Sequence, residues 1–193
     1  MTRGAKLMAC LAGFALLAGC SGEAITTESN ADFQRVAAES RSFGPDVAKD
    51  LATLRQVTAS FHDFKTASDA GWRTKITACM TDPGGAGGMG FHYGNTDLIN
   101  GTVQVDKPQL LLYEPEKNGN LRLVAVEYII PYTFHARDAA PPELFGQKFA
   151  QVDAFGLWGL HAWVWKENPS GIFAAWNPTV GCQNTTDVAN MVH

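Results

Sequence analysis

Two histidines and one glutamate stand out because each sits inside apolar, strand-forming sequence. His92 lies in Phe91-His92-Tyr93, Glu127 in Val126-Glu127-Tyr128, and His161 in the run Phe155–Gly171, FGLWGLHAWVWKENPSG. A polar group in such surroundings needs a partner, a proton or a cation to offset its desolvation. Imidazole is the commonest metal ligand and carboxylate a common companion. His92, Glu127 and His161 therefore make a two-histidine, one-carboxylate set for a divalent metal ion, with coordination positions left for water or substrate. The chain contains no HExxH or HxH, so only the fold can bring the three together. The competing expectation is that Glu127 and His161 hydrogen-bond each other as a satisfied polar pair in the core.

The elements that must position them can be read from periodicity. If Phe155–Trp165 is extended, Leu157, Gly159, His161, Trp163 and Trp165 share one face and Trp158, Leu160, Ala162 and Val164 the other. Both faces are apolar, which places the strand inside a sheet or barrel, with His161 in an interior lined by Trp163 and Trp165. An aromatic pocket built from Tyr93, Trp158, Trp163, Trp165 and Trp176 is a second reading, in which a small apolar or aromatic molecule binds without metal.

His92 follows the glycine-rich stretch Gly84–Gly90, read as a loop that allows close backbone approach. Its Gly85-Ala86-Gly87-Gly88-Met89-Gly90 formally matches GxGxxG, but Phe91-His92-Tyr93-Gly94-Asn95 follows instead of a helix, so no dinucleotide site is expected. A Gly-Lys-Ser/Thr phosphate loop and a GxSxG nucleophile are both missing from the sequence.

Glu127 belongs to the clearest hairpin signal. Gln109–Glu114 and Leu121–Ile130 flank Lys117-Asn118-Gly119-Asn120, and Asn118-Gly119 is favoured at the centre of a two-residue type I′ turn. That turn predicts Glu114 opposite Leu123 and Leu110 opposite Glu127, with both glutamates on one apolar face but about 13 Å apart along the strand. Glu127 is the interior candidate, and Glu114 belongs at a rim, near a pocket that could also include Tyr93.

Upstream, Val47, Leu51, Leu54, Val57, Phe61 and Phe64 recur at helical steps, starting at Pro45-Asp46 and ending by Gly71, with His62 and Asp63 off the apolar face. Residues 20–45 are polar and read as a tether, with a short helix at 31–40 as an option. Residues 1–19 read as a signal peptide: Arg3 and Lys6 precede an apolar stretch, Leu7–Leu17, too short to span a bilayer. Leu17-Ala18-Gly19-Cys20 resembles the lipobox of bacterial lipoproteins. The resemblance implies a diacylated Cys20 as mature N-terminus and, with Ser21 next, attachment to the outer membrane on its periplasmic side.

Removal of 19 residues from 193 leaves 174, enough for one domain, expected at 46–182 with a frayed polar tail at 183–193. Without Arg3 and Lys6 the 15 basic residues become 13 against 19 acidic ones, a balance of −6 that gives no footprint for nucleic acid. Cys79 and Cys182 remain after the leader and the lipidated Cys20, and an oxidising compartment favours a disulfide between them.

The phrases CMTDP, GMGFHYGN, LLYEP, LRLVAVEY and LHAWVWKENPSGIFAAWNP, spread over roughly residues 51–182, resemble those of a family of exported bacterial proteins. The resemblance implies one exported domain and carries no reaction. The expected fold is α+β: an N-terminal helical segment on a mainly antiparallel sheet, open or closed into a small barrel or roll. The first functional expectation is a membrane-anchored, extracytoplasmic metal-binding protein. The others are the aromatic-pocket module and a structural envelope lipoprotein.

Overall fold

The computed structural model describes Met1 and residues 27–190. The expected signal peptide and the expected lipidation at Cys20 fall outside the described residues. Among the described residues three helices precede the sheet: α1 Thr27–Ser42, α2 Pro45–Thr58 and, after a 3-10 turn at Ala59–His62, α3 Phe64–Asp69. Pro45 opens α2, where its missing N–H costs nothing. Leu51, Leu54 and Phe61 of the predicted apolar face are buried, whereas Val57 is 37% exposed. The buried face of α2 passes through Leu54, Arg55 and Thr58 and leaves Val57 beside it, and the helix does not run through to Gly71. It breaks after Thr58, and Asp63 caps α3 by accepting hydrogen bonds from Lys65 N–H at 3.0 Å and Thr66 Oγ1 at 2.8 Å. Among the described residues no helix is long and apolar enough to cross a membrane.

Residues 27–42 are helix rather than tether, and side chains explain why. Asp32 pairs with Arg122 at 2.6 Å, Arg35 with Glu167 at 2.6 Å, and Glu39 Oε1 accepts Ile172 N–H at 2.8 Å. Val36 is fully buried beneath them.

Ten strands follow: β1 Thr74–Lys75, β2 Cys79–Thr81, β3 Gly88–Gly94, β4 Leu110–Pro115, β5 Leu121–Pro131, β6 Glu143–Leu144, β7 Gln147–Lys148, β8 Ala150–Val152, β9 Leu157–Ala162 and β10 Val188–Asn190. The main sheet runs β10-β2-β3-β4-β5-β9-β8, with β1 also paired to β3, while β6 and β7 form a separate hairpin. Every pairing is antiparallel except β10 on β2. The α+β expectation holds. The sheet curls into a half-barrel, and among the described residues β8 and β10 end its main path, with β1, paired only to β3, a further edge.

Several local expectations are corrected. The glycine-rich loop ends early: Gly88–Gly94 is strand, and Gly90 sits in it at φ 82° because a β-carbon there would lie 2.3 Å from Tyr113 O. The tail is not frayed throughout, since Val188–Asn190 forms β10. The β4–β5 hairpin closes between Glu116 and Asn120, whose N–H···O bond is 2.9 Å, and Gly119 N–H donates to Glu116 O. This three-residue loop shifts the register by one near the turn, so Glu114 faces Arg122 rather than Leu123. A bulge between Leu112 and Tyr113 restores the expected register, and Leu110 does face Glu127.

The convex face of the sheet carries the helices. Tyr113 donates to Phe61 O at 2.6 Å and Trp165 Nε1 to Thr58 Oγ1 at 3.0 Å. At the other end, Cys79 and Cys182 form a disulfide across a separation of 103 residues, tying the β2 edge to the C-terminal loop.

Candidate metal centre

The three residues singled out from sequence meet on the concave face. Glu127 and His161 are direct cross-strand partners in the β5–β9 pair. His92 comes from β3, opposite Leu112 of β4. Three strand spacings separate β3 from β9, which would put their side chains about 14 Å apart in a flat sheet. The imidazole centroids of His92 and His161 are 6.2 Å apart. The curl of the sheet thus creates the cluster.

His92 Nε2 lies 3.5 Å from Glu127 Oε2, and His161 Nε2 lies 3.8 Å from Glu127 Oε1. One donor atom from each residue falls within 4.8 Å of the others. All three side chains are buried, at 5–8% exposure, yet His161 Nε2 has no hydrogen-bond partner. His92 is held from behind: Thr77 Oγ1, in the turn between β1 and β2, is 2.8 Å from its Nδ1. The ring of His161 stacks on Trp163 at 6.3 Å between centroids and 12° between planes. Both contacts fix ring orientation, as supporting groups around metal-binding histidines do.

Burial dominates the electrostatics. It raises the Glu127 carboxyl to about 8 and lowers His161 to about 4. His92 falls to about 3, through burial and then the charge of His161. Burial thus favours the uncharged form of all three groups, a carboxylic acid and two neutral imidazoles. A divalent cation would reverse that preference for Glu127 and find both imidazoles already unprotonated.

The cluster forms the floor of a cavity of about 880 Å³. Its lining is mainly apolar, with Met80, Met89, Leu110 and Ile129 buried, Val152, Leu157 and Trp176 half-buried, and Ile76 and Phe155 exposed at the opening. Gly159, two residues before His161 on the same face, leaves room for the carboxylate. A β-carbon there would sit 2.9 Å from Glu127 Oε1 and 3.2 Å from Val152 Cγ2.

The remaining predicted pocket residues lie elsewhere. Tyr93 points to the opposite face of β3 and packs on Phe64 and Tyr113. Glu114 is bound to Lys166 Nζ at 2.6 Å and Gly181 N at 3.2 Å. The alternation expected through Trp165 fails because β9 stops at Ala162. Trp163 N–H then donates to Ile172 O, and Trp165 N–H and Lys166 N–H both turn to Val124 O. Trp163 consequently lies behind His161, with Nε1 on Ala174 O at 2.7 Å, and Trp165 faces the helices. Of the five aromatics proposed for a pocket, Trp176 alone lines this cavity.

Sequence reasoning missed Thr77, Met80, Met89 and Val152. Leu110, Ile129 and Gly159 carried a usable signal, since they stand two residues from, or directly opposite, a site residue on the same face.

No protein-family model, no curated protein and no solved structure matches this chain.

Proposed function

We propose that this is an exported protein, held at the cell envelope by a lipid on Cys20, whose domain binds a divalent metal ion through His92, Glu127 and His161. The observation that carries the metal reading is His161 Nε2, buried without a partner and 3.8 Å from Glu127 Oε1. A self-sufficient core pair would bring carboxyl and imidazole to hydrogen-bond distance, about 2.7–3.2 Å. Both separations here exceed that. Ligand atoms about 2.0–2.2 Å from a shared ion stand roughly 3.4 Å apart in a tetrahedral site; the two histidine–glutamate separations are near that value, and the widest separation in the cluster, within 4.8 Å, has to contract on binding. Three protein ligands on one side leave the remaining positions facing the cavity, the arrangement of a site that binds or activates a ligand rather than a closed structural one. His92 serves through Nε2 when its Nδ1–H donates to Thr77 Oγ1. The envelope location is supported by the lipobox-like Leu17-Ala18-Gly19-Cys20 and by a disulfide suited to an oxidising compartment.

The test is elemental analysis of the mature chain, exported and purified without chelator, beside His161→Ala and Glu127→Ala. Near-stoichiometric metal in the parent and its loss from folded variants is the expected result. A parent that stays metal-free after reconstitution with several divalent ions defeats the reading. Radiolabelled palmitate entering the parent but not Cys20→Ser checks the anchor.

A further inference from the structure

The floor and walls of the cavity differ in a way that restricts what can bind, provided the metal reading above holds. We infer that the ligand is a small, mainly apolar molecule with a single negatively charged oxygen head, of the monocarboxylate or phenolate type. The head completes the metal's coordination and the body fills the cavity.

Charge is the first constraint. A divalent ion with the Glu127 carboxylate and two neutral imidazoles carries one residual positive charge. Among the described residues lining the cavity there is no lysine or arginine. The one other charged lining group, Asp153, is held by Arg137 through Nε at 2.7 Å and Nη2 at 2.6 Å, and by Tyr132 OH at 2.8 Å. A monoanion neutralises the site. A dicarboxylate or a phosphate dianion would bring a second charge into an enclosure with nothing to match it.

Hydrogen-bonding capacity is the second. Thr77 Oγ1 accepts from His92 Nδ1–H and keeps one hydroxyl donor, and Gln151 Nε2 donates to Arg137 O at 2.6 Å, so few hydrogen-bonding groups of the lining remain for a ligand. A ligand with many hydroxyls, such as a sugar, would bury polar groups against Met89, Leu110, Ile129 and their neighbours at a cost. An apolar body gains from the same walls, and a cavity of about 880 Å³ falls within the roughly 300–1,000 Å³ of small-molecule sites. At the entrance Ile76 is 42% and Phe155 50% exposed, so the apolar surface continues outward along the ligand's path.

The experiment uses the mature full chain loaded with Co(II), metal content being measured on the same sample, and follows the visible Co(II) spectrum. The probes are 4-phenylbutyrate, acetate, succinate and inorganic phosphate. The expected result is a spectral change with 4-phenylbutyrate at a half-saturation at least about tenfold below that of acetate, because the apolar body adds burial, with succinate and phosphate no better than acetate. Phe155→Ser, at an exposed position that leaves the floor intact, should weaken 4-phenylbutyrate several-fold and leave acetate unchanged. A chain that holds no Co(II) fails at the metal site, and the ligand inference falls with it. Stoichiometric Co(II) with equal response to acetate and 4-phenylbutyrate, tightest binding of succinate or phosphate, or no response to any probe overturns the ligand class while leaving the metal site standing.

Discussion

Gly159 and Glu127 are in steric register: a β-carbon on the glycine would approach Glu127 Oε1 to 2.9 Å. The glycine is there for space and not for a left-handed backbone, and it lets a carboxylate lie flat beside the strand that carries His161. Gly159→Ala is expected to fold, because one methyl can be absorbed by rotation of the Glu127 side chain. That rotation displaces a ligand atom, so metal affinity should fall by about tenfold or more, in line with the loss on disturbing groups that orient metal ligands. Competition with a chromogenic chelator measures it. Parental affinity would show that Glu127 does not need this position.

The metal-free protein should have an unusual dependence of stability on pH. Glu127 is raised from 4.5 to about 8, so between those values the unfolded chain has lost a proton that the folded one keeps, and stability falls as pH rises. His92 and His161 are lowered from 6.5 to about 3 and 4. Across that lower window the unfolded chain binds more protons, and stability rises with pH. The sum is a maximum near pH 6.5, then a decline of about 1.4 kcal/mol per pH unit to pH 8. Urea denaturation in chelator from pH 5 to 9 checks this, and Glu127→Gln should abolish the decline. Metal binding should show the opposite sense, tightening up to pH 8 as Glu127 gives up its proton.

The disulfide spans 103 residues, and removing it should be felt throughout the domain. Cys79→Ala with Cys182→Ala is expected to lower unfolding free energy by up to about 4.7 kcal/mol on the chain-entropy account. Equilibrium denaturation of both forms gives the difference. A loss below about 1 kcal/mol would mean that native strain or residual structure in the unfolded chain cancels the entropic term.

Lys166 and Glu114 form a pair with side chains only 11% and 14% exposed, and Lys166 Nζ also donates to Thr179 O at 2.7 Å. Lys166→Met strands the carboxylate and should cost roughly 3 kcal/mol, whereas Lys166→Met with Glu114→Leu should recover much of the loss. Thermal denaturation reads both. Metal content should be unchanged in either, since neither side chain belongs to the His92, Glu127 and His161 cluster.

The sequence made parts of this site legible because alternation is local. Leu110 opposite Glu127 follows from two strands and a turn, and it survives even though the turn has three residues, because the bulge at Leu112/Tyr113 compensates. His161 in an enclosed interior follows from apolar residues on both faces of β9. Where the reasoning failed, something non-local had intervened. Alternation continued past Ala162 puts Trp165 on the His161 face, but Val124 O captures the N–H groups of residues 165 and 166 and turns the chain toward Thr58. The helix at 27–42 is held by Arg122, Glu167 and Ile172, partners far along the chain, and its own sequence says little about them. The meeting of His92 with His161 depends on curvature, which no spacing in the sequence encodes.

The parallel pairing of β10 with β2 also bears on the order of assembly. Val188 sits beside Cys79, so as the chain emerges into the compartment where it folds, one edge of β2 stays unmated until residues more than a hundred positions later arrive. The antiparallel neighbours β3, β4, β5 and β9 are all complete before then. For that interval β2 itself is an open strand edge, a template for pairing with other chains, beside an unpaired Cys79 thiol, until the short β10 takes its place as the edge. Yield is therefore expected to depend on how soon the last strand and a thiol oxidant arrive together.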